Sequence, residues 1–316
     1  VKRDKIQSII GRRQFLAAGI AVAGPVVINS LSYGMSQSPS SGQGYREIMK
    51  DVMKYRKIDS HGHIRNEKDV YIDHAKIVET LDRLGIEKTA VSFGLHGVDI
   101  KPHEFREMNN LVLKAMKEFP NRFIGQCFIN PCYGKEALEE IDRCLGEGMV
   151  QLGELFEQAN INDPLYYPII EKCIELKIPL MMHTADLTEL IRYGYEPRPP
   201  GSSSIAENFV EVAKHYPELM LIHAHIGGGG DWEHKCKTLR DSPTVYVDTS
   251  GSVHDEAMVD FALKYLGEDR ILFACDMSFE AGVGKIMAAN LNERQRKKIF
   301  FDNYNNLLRK AGNNVD

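Results

Sequence analysis

The chain has 316 residues, of which 43% are hydrophobic and 26% charged, with a formal net charge of −5. That much apolar material excludes a largely disordered chain, and mild acidity with no basic block in its body excludes a polyanion-binding surface. The length exceeds an average domain but suits one α/β barrel, a fold that runs to about 250 residues or more.

The N-terminal stretch differs from the rest. Lys2, Arg3, Lys5, Arg12 and Arg13 precede an apolar run, Phe15 to Ile28, which Pro25 interrupts and a Ser/Gly/Gln-rich segment, Ser30 to Gly44, follows. A charged, then apolar, then polar order is that of an export signal, and the apolar part is short for a membrane span. Gly11-Arg12-Arg13-Gln14-Phe15-Leu16 resembles the twin-arginine export signature. The expectation is an export signal and the start of a linker over 1–36, a linker and lead-in over 37–54, and one domain over 55–316. It implies engagement of export machinery and a periplasmic location, with retention of the signal as an anchor as the alternative. Loss of residues 1–36 removes five basic residues and one acidic one, leaving a more acidic domain. The six cysteines mostly sit in apolar patterns and read as small core residues; Cys127 and Cys132 are close enough in sequence to pair.

From residue 55 onward, apolar strand-like runs alternate with amphipathic segments. Predicted strands are Ile58–Ser60, Lys88–Phe93, Phe123–Ile129, Val150–Glu154, Pro179–His183, Met220–His223, Val245–Asp248 and Ile271–Ala274. Between them, Phe105, Met108, Val112, Ala115 and Phe119 step by three or four, as do Ile205, Phe209, Val212 and Tyr216, and Ala137, Ile141, and Cys144 or Leu145. Leu84-Gly85-Ile86 and Gly146-Glu147-Gly148 read as helix stops leading into strands. Eight strand-then-helix units predict a closed parallel (β/α)8 barrel, the TIM-barrel architecture, rather than an open sheet. The run Gly227–Gly230 follows the sixth strand and reads as a tight turn, not a phosphate cradle.

Side chains two apart on a strand share a face, so His61 and His63, in Asp59-Ser60-His61-Gly62-His63, converge on one point. In a parallel barrel all strand C-termini open on one side, which gathers His183 after the fifth strand and Asp276 after the eighth beside that pair. Three imidazoles and a carboxylate suit Zn2+, Mn2+ or Fe2+ with water at the remaining position. Such a cation lowers the pKa of bound water toward about 7, and Asp276 is placed to take and return its proton. His223 and His225 compete for a catalytic role after strand six, since alternation alone cannot choose between them.

These motifs resemble the amidohydrolase superfamily: Asp59-x-His61-x-His63, Met181-Met182-His183-Thr184, His225-Ile226-Gly227-Gly228, Val245 to Gly251, and Ile271 to Asp276. The branch they look most like also contains aminocarboxymuconate-semialdehyde decarboxylase, and Pro120 to Gly125 and Asn303 fit it. The resemblance implies a divalent-metal site of His61, His63, His183 and Asp276, most often zinc and one ion or two, with His225 as a catalytic histidine or one supporting the metal ligands. Glu154 stands where binuclear members carry a bridging lysine, and Gly153-Glu154 is similar to the TatD-type deoxyribonucleases. Glu154 is thus either a metal ligand or a rim charge paired with Arg192 or Arg198.

The long segment Ala185 to Ser203 holds Arg192, Tyr193, Tyr195 and Arg198, and either arginine could clamp a substrate carboxylate. His96, Arg65 and Trp232 are further pocket candidates. The expected activity is metal-dependent hydrolysis of a C–N or C–O bond (amide, ester or lactone) in a small molecule. The alternative is a lyase, decarboxylating or hydrating an unsaturated or aromatic carboxylic acid. No nucleic-acid partner is expected, and a homodimer is compatible with the sequence.

Overall fold

The computed structural model describes residues 41–64, 73–93, 99–156, 158–184, 204–228 and 231–313. The chain divides into two compact units, 1–44 and 45–316. Of the first, only the start of helix α1 (Ser41–Met53) is described, so the export-signal reading lies outside the described residues. The stretch expected as linker is therefore partly helical, with Val52 buried in the core.

Eight strands form one sheet in the order β1 to β8: Ile58–Ile64, Lys88–Phe93, Phe123–Cys127, Gln151–Leu155, Leu180–Met182, Leu221–His223, Val245–Asp248 and Ile271–Leu272. Each pairs in parallel with the next. Backbone bonds Ser60 N to Phe273 O (3.0 Å) and Asp276 N to His61 O (2.8 Å) join the last strand to the first. The result is the expected (β/α)8 barrel, with every predicted strand present and only its ends adjusted. Nearly all strand positions are buried, as a parallel sheet with helices outside and side chains inside requires.

The helices follow from local chemistry. In α2 (His74–Leu84), Asp73 accepts from the N–H of Ala75 at 2.9 Å, and Gly85 ends the helix at φ 65 in the left-handed region. In α3 (Pro102–Glu118), Pro102 sits in the first turn, and Phe105, Met108, Val112 and Ala115 are buried. Helices α4 (Gly134–Gly146), α5 (Tyr167–Leu176) and α6 (Ala206–His215) follow strands three to five. Next come α7 (Trp232–Leu239), α8 (Met258–Leu266), α9 (Phe279–Ala288) and α10 (Glu293–Lys297). A π-helical stretch, Lys298–Asp302, then leads into α11 (Asn303–Lys310).

Two apolar clusters share the core. The larger lies between strands and helices; the smaller fills the barrel interior with Ile58, Ala90, Ile124, Met181, Ile222 and Leu272. Tyr304, Leu307 and Leu308 of α11 pack into this second cluster and plug the end where the strands begin. A polar chain crosses the interior above them: Tyr304 Oη donates to Gln151 Oε1 (2.9 Å), Gln151 Nε2 to Gln126 Oε1 (3.0 Å), and Gln126 Nε2 to Ser60 O (3.2 Å). Closure at that end leaves the C-terminal mouth as the place for chemistry. The six cysteines are free thiols, all buried except Cys132, so the Cys127–Cys132 pairing is not formed.

One buried charge ties helices α3 and α4 together. Glu140 accepts from Asn109 Nδ2 (2.9 Å), Arg106 Nε (3.1 Å) and Arg143 Nε (2.9 Å). Burial alone would raise its pKa, but Arg143, Asn109 and Arg106 reverse that and bring it to about 2 from an ordinary 4.5. A carboxylate whose folded pKa lies below its unfolded value stabilises the fold above the unfolded pKa. That contribution is lost as pH falls through the folded value. Glu140→Gln should therefore cost about 1–3 kcal/mol at pH 7 in urea denaturation. The gap to wild type should close between pH 4.5 and about pH 2; a gap constant over that range would contradict the assignment.

Candidate metal centre

Six side chains meet at the C-terminal mouth. His61 and His63 leave β1 with their Nε2 atoms 3.3 Å apart. Asp276, four residues beyond β8, brings Oδ1 to 3.1 Å from His63 Nε2. Glu154, on β4, is 1% exposed and sits in the middle. Its Oε2 faces His61 Nε2 at 3.4 Å and His63 Nε2 at 3.6 Å, while Oε1 lies 2.9 Å from both His183 Nδ1 and His225 Nε2. His225 Nε2 and His183 Nδ1 are 3.1 Å apart. These six fall into two of the three candidate trios among the described residues, His61/His63/Asp276 and Glu154/His183/His225. His183 belongs to the second of these trios.

Local backbone explains the convergence. Gly153 has φ +124, and a Cβ there would lie 2.4 Å from the Met181 carbonyl, so only glycine lets β4 carry Glu154 past β5. His225 and Asp276 are themselves left-handed, at φ 61 and φ 45, which turns each out of its strand line and toward the mouth. This turn separates His225 from His223. His223 remains on β6 and packs against Phe209 of α6 at 4.7 Å. Burial, aided by Lys235, lowers its pKa to about 3, so it stays neutral and away from the site.

The electrostatics mark a cation site. Burial would lower the His61 pKa, yet Glu154 and Asp248 hold it well above its ordinary value. Burial would raise that of Glu154, and His61, His183 and His225 hold it well below. Asp276 is likewise kept ionised by His63, His225 and His61 against the effect of burial. Glu154 Oε2 is buried without a well-formed hydrogen bond among the described residues. Donors at about 2.0–2.2 Å from one cation lie about 2.9–3.5 Å from each other, which matches the 2.9–3.6 Å separations found here. The residues therefore fit a divalent cation, and the carboxylate and imidazole donors admit zinc, manganese or iron alike.

Around this set lies a layer that the sequence reading missed. Asp248, fully buried at the end of β7, places Oδ2 2.8 Å from His61 Nδ1. Its Oδ1 accepts from Ser250 Oγ (2.5 Å), Ser250 N (2.9 Å) and His225 N (3.0 Å). Burial notwithstanding, His61, His225 and Ser250 bring the Asp248 pKa down to about 2. Ser92 Oγ accepts from Glu154 N (3.3 Å) and lies 3.3 Å from His63 Nδ1. An aspartate and serine closing an apolar Val-Tyr-Val strand look like an ordinary turn; their spacing to His225 in the adjacent loop was the available signal.

The other candidates divide. Trp232 donates Nε1 to Asp255 Oδ2 (2.8 Å) and packs on Phe261, so it supports a helix start. Glu154 is not a rim charge. His96, Arg65, Arg192, Tyr193, Tyr195 and Arg198 lie outside the described residues.

Comparison with known proteins agrees with this architecture. Residues 58–303 match the family profile described as Amidohydrolase. Gamma-resorcylate decarboxylase of Polaromonas sp. strain JS666 is 25% identical over 284 residues, covering 73% of this chain and 86% of that protein. The 2-amino-3-carboxymuconate-6-semialdehyde decarboxylase of Dictyostelium discoideum is 25% identical over 202 residues, 55% of this chain; the chain spans 56% of that protein's length. Among solved structures, dihydroxybenzoic acid decarboxylase from Polaromonas sp. JS666, with bound manganese and the inhibitor 2-nitroresorcinol, superposes with a TM-score of 0.64. It is 19% identical and covers 81% of this chain and 97% of that one. Both curated relatives are decarboxylases, whereas hydrolysis was the activity expected first from the sequence. The chain belongs to the amidohydrolase family.

Proposed function

We propose that this protein is a divalent-cation-dependent lyase that removes CO2 from an unsaturated or aromatic carboxylic acid. The observation that carries it is a His/carboxylate centre at the barrel mouth, within a chain that aligns to 86% of gamma-resorcylate decarboxylase. His61, His63, His183, Asp276 and Glu154 would hold the cation, which when bound supplies Lewis-acid polarisation of a substrate oxygen. His225, with Nε2 toward the centre, is placed to give a proton to the carbon that loses CO2. In that step the carbon–carboxylate bond breaks, its electron pair stays on carbon, and the proton from Nε2 closes the new C–H bond; solvent returns the proton. Arg192, Arg198 and His96 are proposed to bind the substrate, the arginines taking its carboxylate bidentately. Arg12-Arg13 and the apolar run after it support an exported, periplasmic enzyme.

Hydrolysis of a C–N or C–O bond is the second reading, and Glu154 favours it. One oxygen faces His61 and His63 while the other faces His183 and His225, a donor set large enough that it would hold two cations.

Elemental analysis of protein purified without chelator, paired with a substrate screen, separates the two. About one equivalent of cation with CO2 release from hydroxybenzoates or muconate derivatives supports the lyase. About two equivalents with acid release from lactones or esters supports the hydrolase and overturns the lyase. For the lyase, His225→Asn should lower kcat about 10²–10⁴-fold, the usual range for one acid–base group. A variant with unchanged kcat would remove His225 from the chemistry.

Cation binding should also be visible without substrate. Chelator-stripped protein at a cation concentration of 100 times Kd should gain about 2.7 kcal/mol, read as a rise in Tm. Glu154→Gln should shrink that rise; an equal rise in the variant would show that Glu154 is not a ligand.

A further inference from the structure

The geometry points to Asp248 and Ser250 as positioning residues that fix which ring nitrogen of His61 and of His225 faces the reacting centre. The inference rests on the reading of that centre as the working site, and extends it to two residues outside the donor set.

Asp248 belongs by distance to a possible metal-binding trio with His61 and His225, but its contacts are of another kind. Its Oδ2 meets His61 at Nδ1, while the opposite nitrogen, Nε2, faces His63 and Glu154. A carboxylate that already accepts from Ser250 Oγ, Ser250 N and His225 N is an acceptor only. The bond at 2.8 Å therefore requires the proton on His61 Nδ1. Nε2 is then the nitrogen left for the cation.

Ser250 extends the same logic to His225. A hydroxyl has one hydrogen, and here Asp248 Oδ1, 2.5 Å away, takes it. What Oγ offers His225 Nδ1 at 2.8 Å is consequently a lone pair, so His225 must carry its fixed proton on Nδ1. Nε2, beside Glu154 Oε1 and His183 Nδ1, becomes the nitrogen that exchanges proton or lone pair at the centre. One buried carboxylate sets both rings, directly for His61 and through a hydroxyl for His225.

The surroundings hold Ser250 in place for this. Lys285 Nζ donates to the carbonyls on either side of it, Thr249 O (3.1 Å) and Gly251 O (2.8 Å). The loops after β6 and β7 are zipped by Gly227 N to Ser250 O (3.1 Å) and Val253 N to Gly227 O (2.9 Å). Gly251, at φ +100, packs so closely that a Cβ would fall 2.4 Å from Gly227 C. Gly227 and Gly251 thus serve the approach of Ser250 to His225.

Two readouts that need no substrate test the assignment, so failure of the lyase reading would leave them intact. In the Zn2+-loaded protein at a pH above the imidazole range, two-bond ¹H–¹⁵N spectra should show His225 as the Nδ1–H tautomer. Ser250→Ala should lose that preference and Ser250→Thr should keep it, both variants unfolding cooperatively. Asp248→Asn, which offers a donor to His61 Nδ1, should weaken Zn2+ binding about 10- to 100-fold in chelator competition. An Nε2–H tautomer in the wild type, or its Nδ1–H pattern persisting in Ser250→Ala, would overturn the role of Ser250. Wild-type Zn2+ affinity in a folded Asp248→Asn would overturn that of Asp248. Should Asp248→Asn not fold, the Ser250 pair still decides whether the relay exists.

Discussion

Glu154 is the constraint around which the mouth of this barrel is organised. A carboxylate that is 1% exposed has given up nearly all its water, at a cost of several kcal/mol. Its return comes from four imidazoles, two on each oxygen, and those rings are themselves desolvated. Imidazole nitrogens and carboxylate oxygens at such separations repel one another unless positive charge lies between them. Protons can supply it, which is why His61 holds on to its proton against burial. A divalent cation supplies it with fewer charges to accommodate and with directional bonds.

That arrangement is costly locally and is secured elsewhere. His225, Asp276 and Met277 all occupy the left-handed region, which for a residue with a side chain costs of order 1–3 kcal/mol where the conformation is strained. Backbone bonds absorb the turn. Asp276 N donates to His61 O, so the strand that brings the carboxylate is pinned to the one that brings the first imidazole. His225 N donates to Asp248 Oδ1, linking the exit of β6 to the end of β7. Asp59 continues the theme beneath the pair, accepting from His61 N, Cys275 N and Thr89 Oγ1. Each donor is thus held through a neighbouring strand, and a barrel is the topology in which every strand has two neighbours.

Much of this was legible in the residues, for a physical reason. Strands buried on both faces leave continuous apolar runs, and eight of them alternating with helical stripes specify a barrel almost regardless of detail. His61, His63 and Asp276 could be placed because strand ends in a barrel share one side. What escaped was information carried by contacts between loops. Periodicity could not choose His225 over His223, because the choice lies in one left-handed residue that ends the alternation. Asp248 and Ser250 read as a strand end and turn, since their partners are in the preceding loop and on β1. The segment before residue 54 was read from its Ser, Gly and Gln content as a linker, although Met49 and Val52 give its helix an apolar face.

The division between a pinned inner layer and the reacting groups also bears on how one centre could serve either of the two proposed cleavages. Decarboxylation and hydrolysis both need a polarised oxygen and a nitrogen that passes a proton, and both are served by fixing the far side of the ring. Once Nδ1 of His61 is tied to Asp248, and that of His225 to Ser250, neither ring can rotate without breaking a buried hydrogen bond, at about 1–3 kcal/mol for each group left unsatisfied. The orientation of Nε2 is then settled before any substrate arrives, and no reorganisation is needed as charge develops. Selectivity between reactions is left to whatever holds the substrate over the centre. Such a design keeps the acid–base geometry constant while the bond that breaks is chosen by the position of the carbon or carbonyl above it.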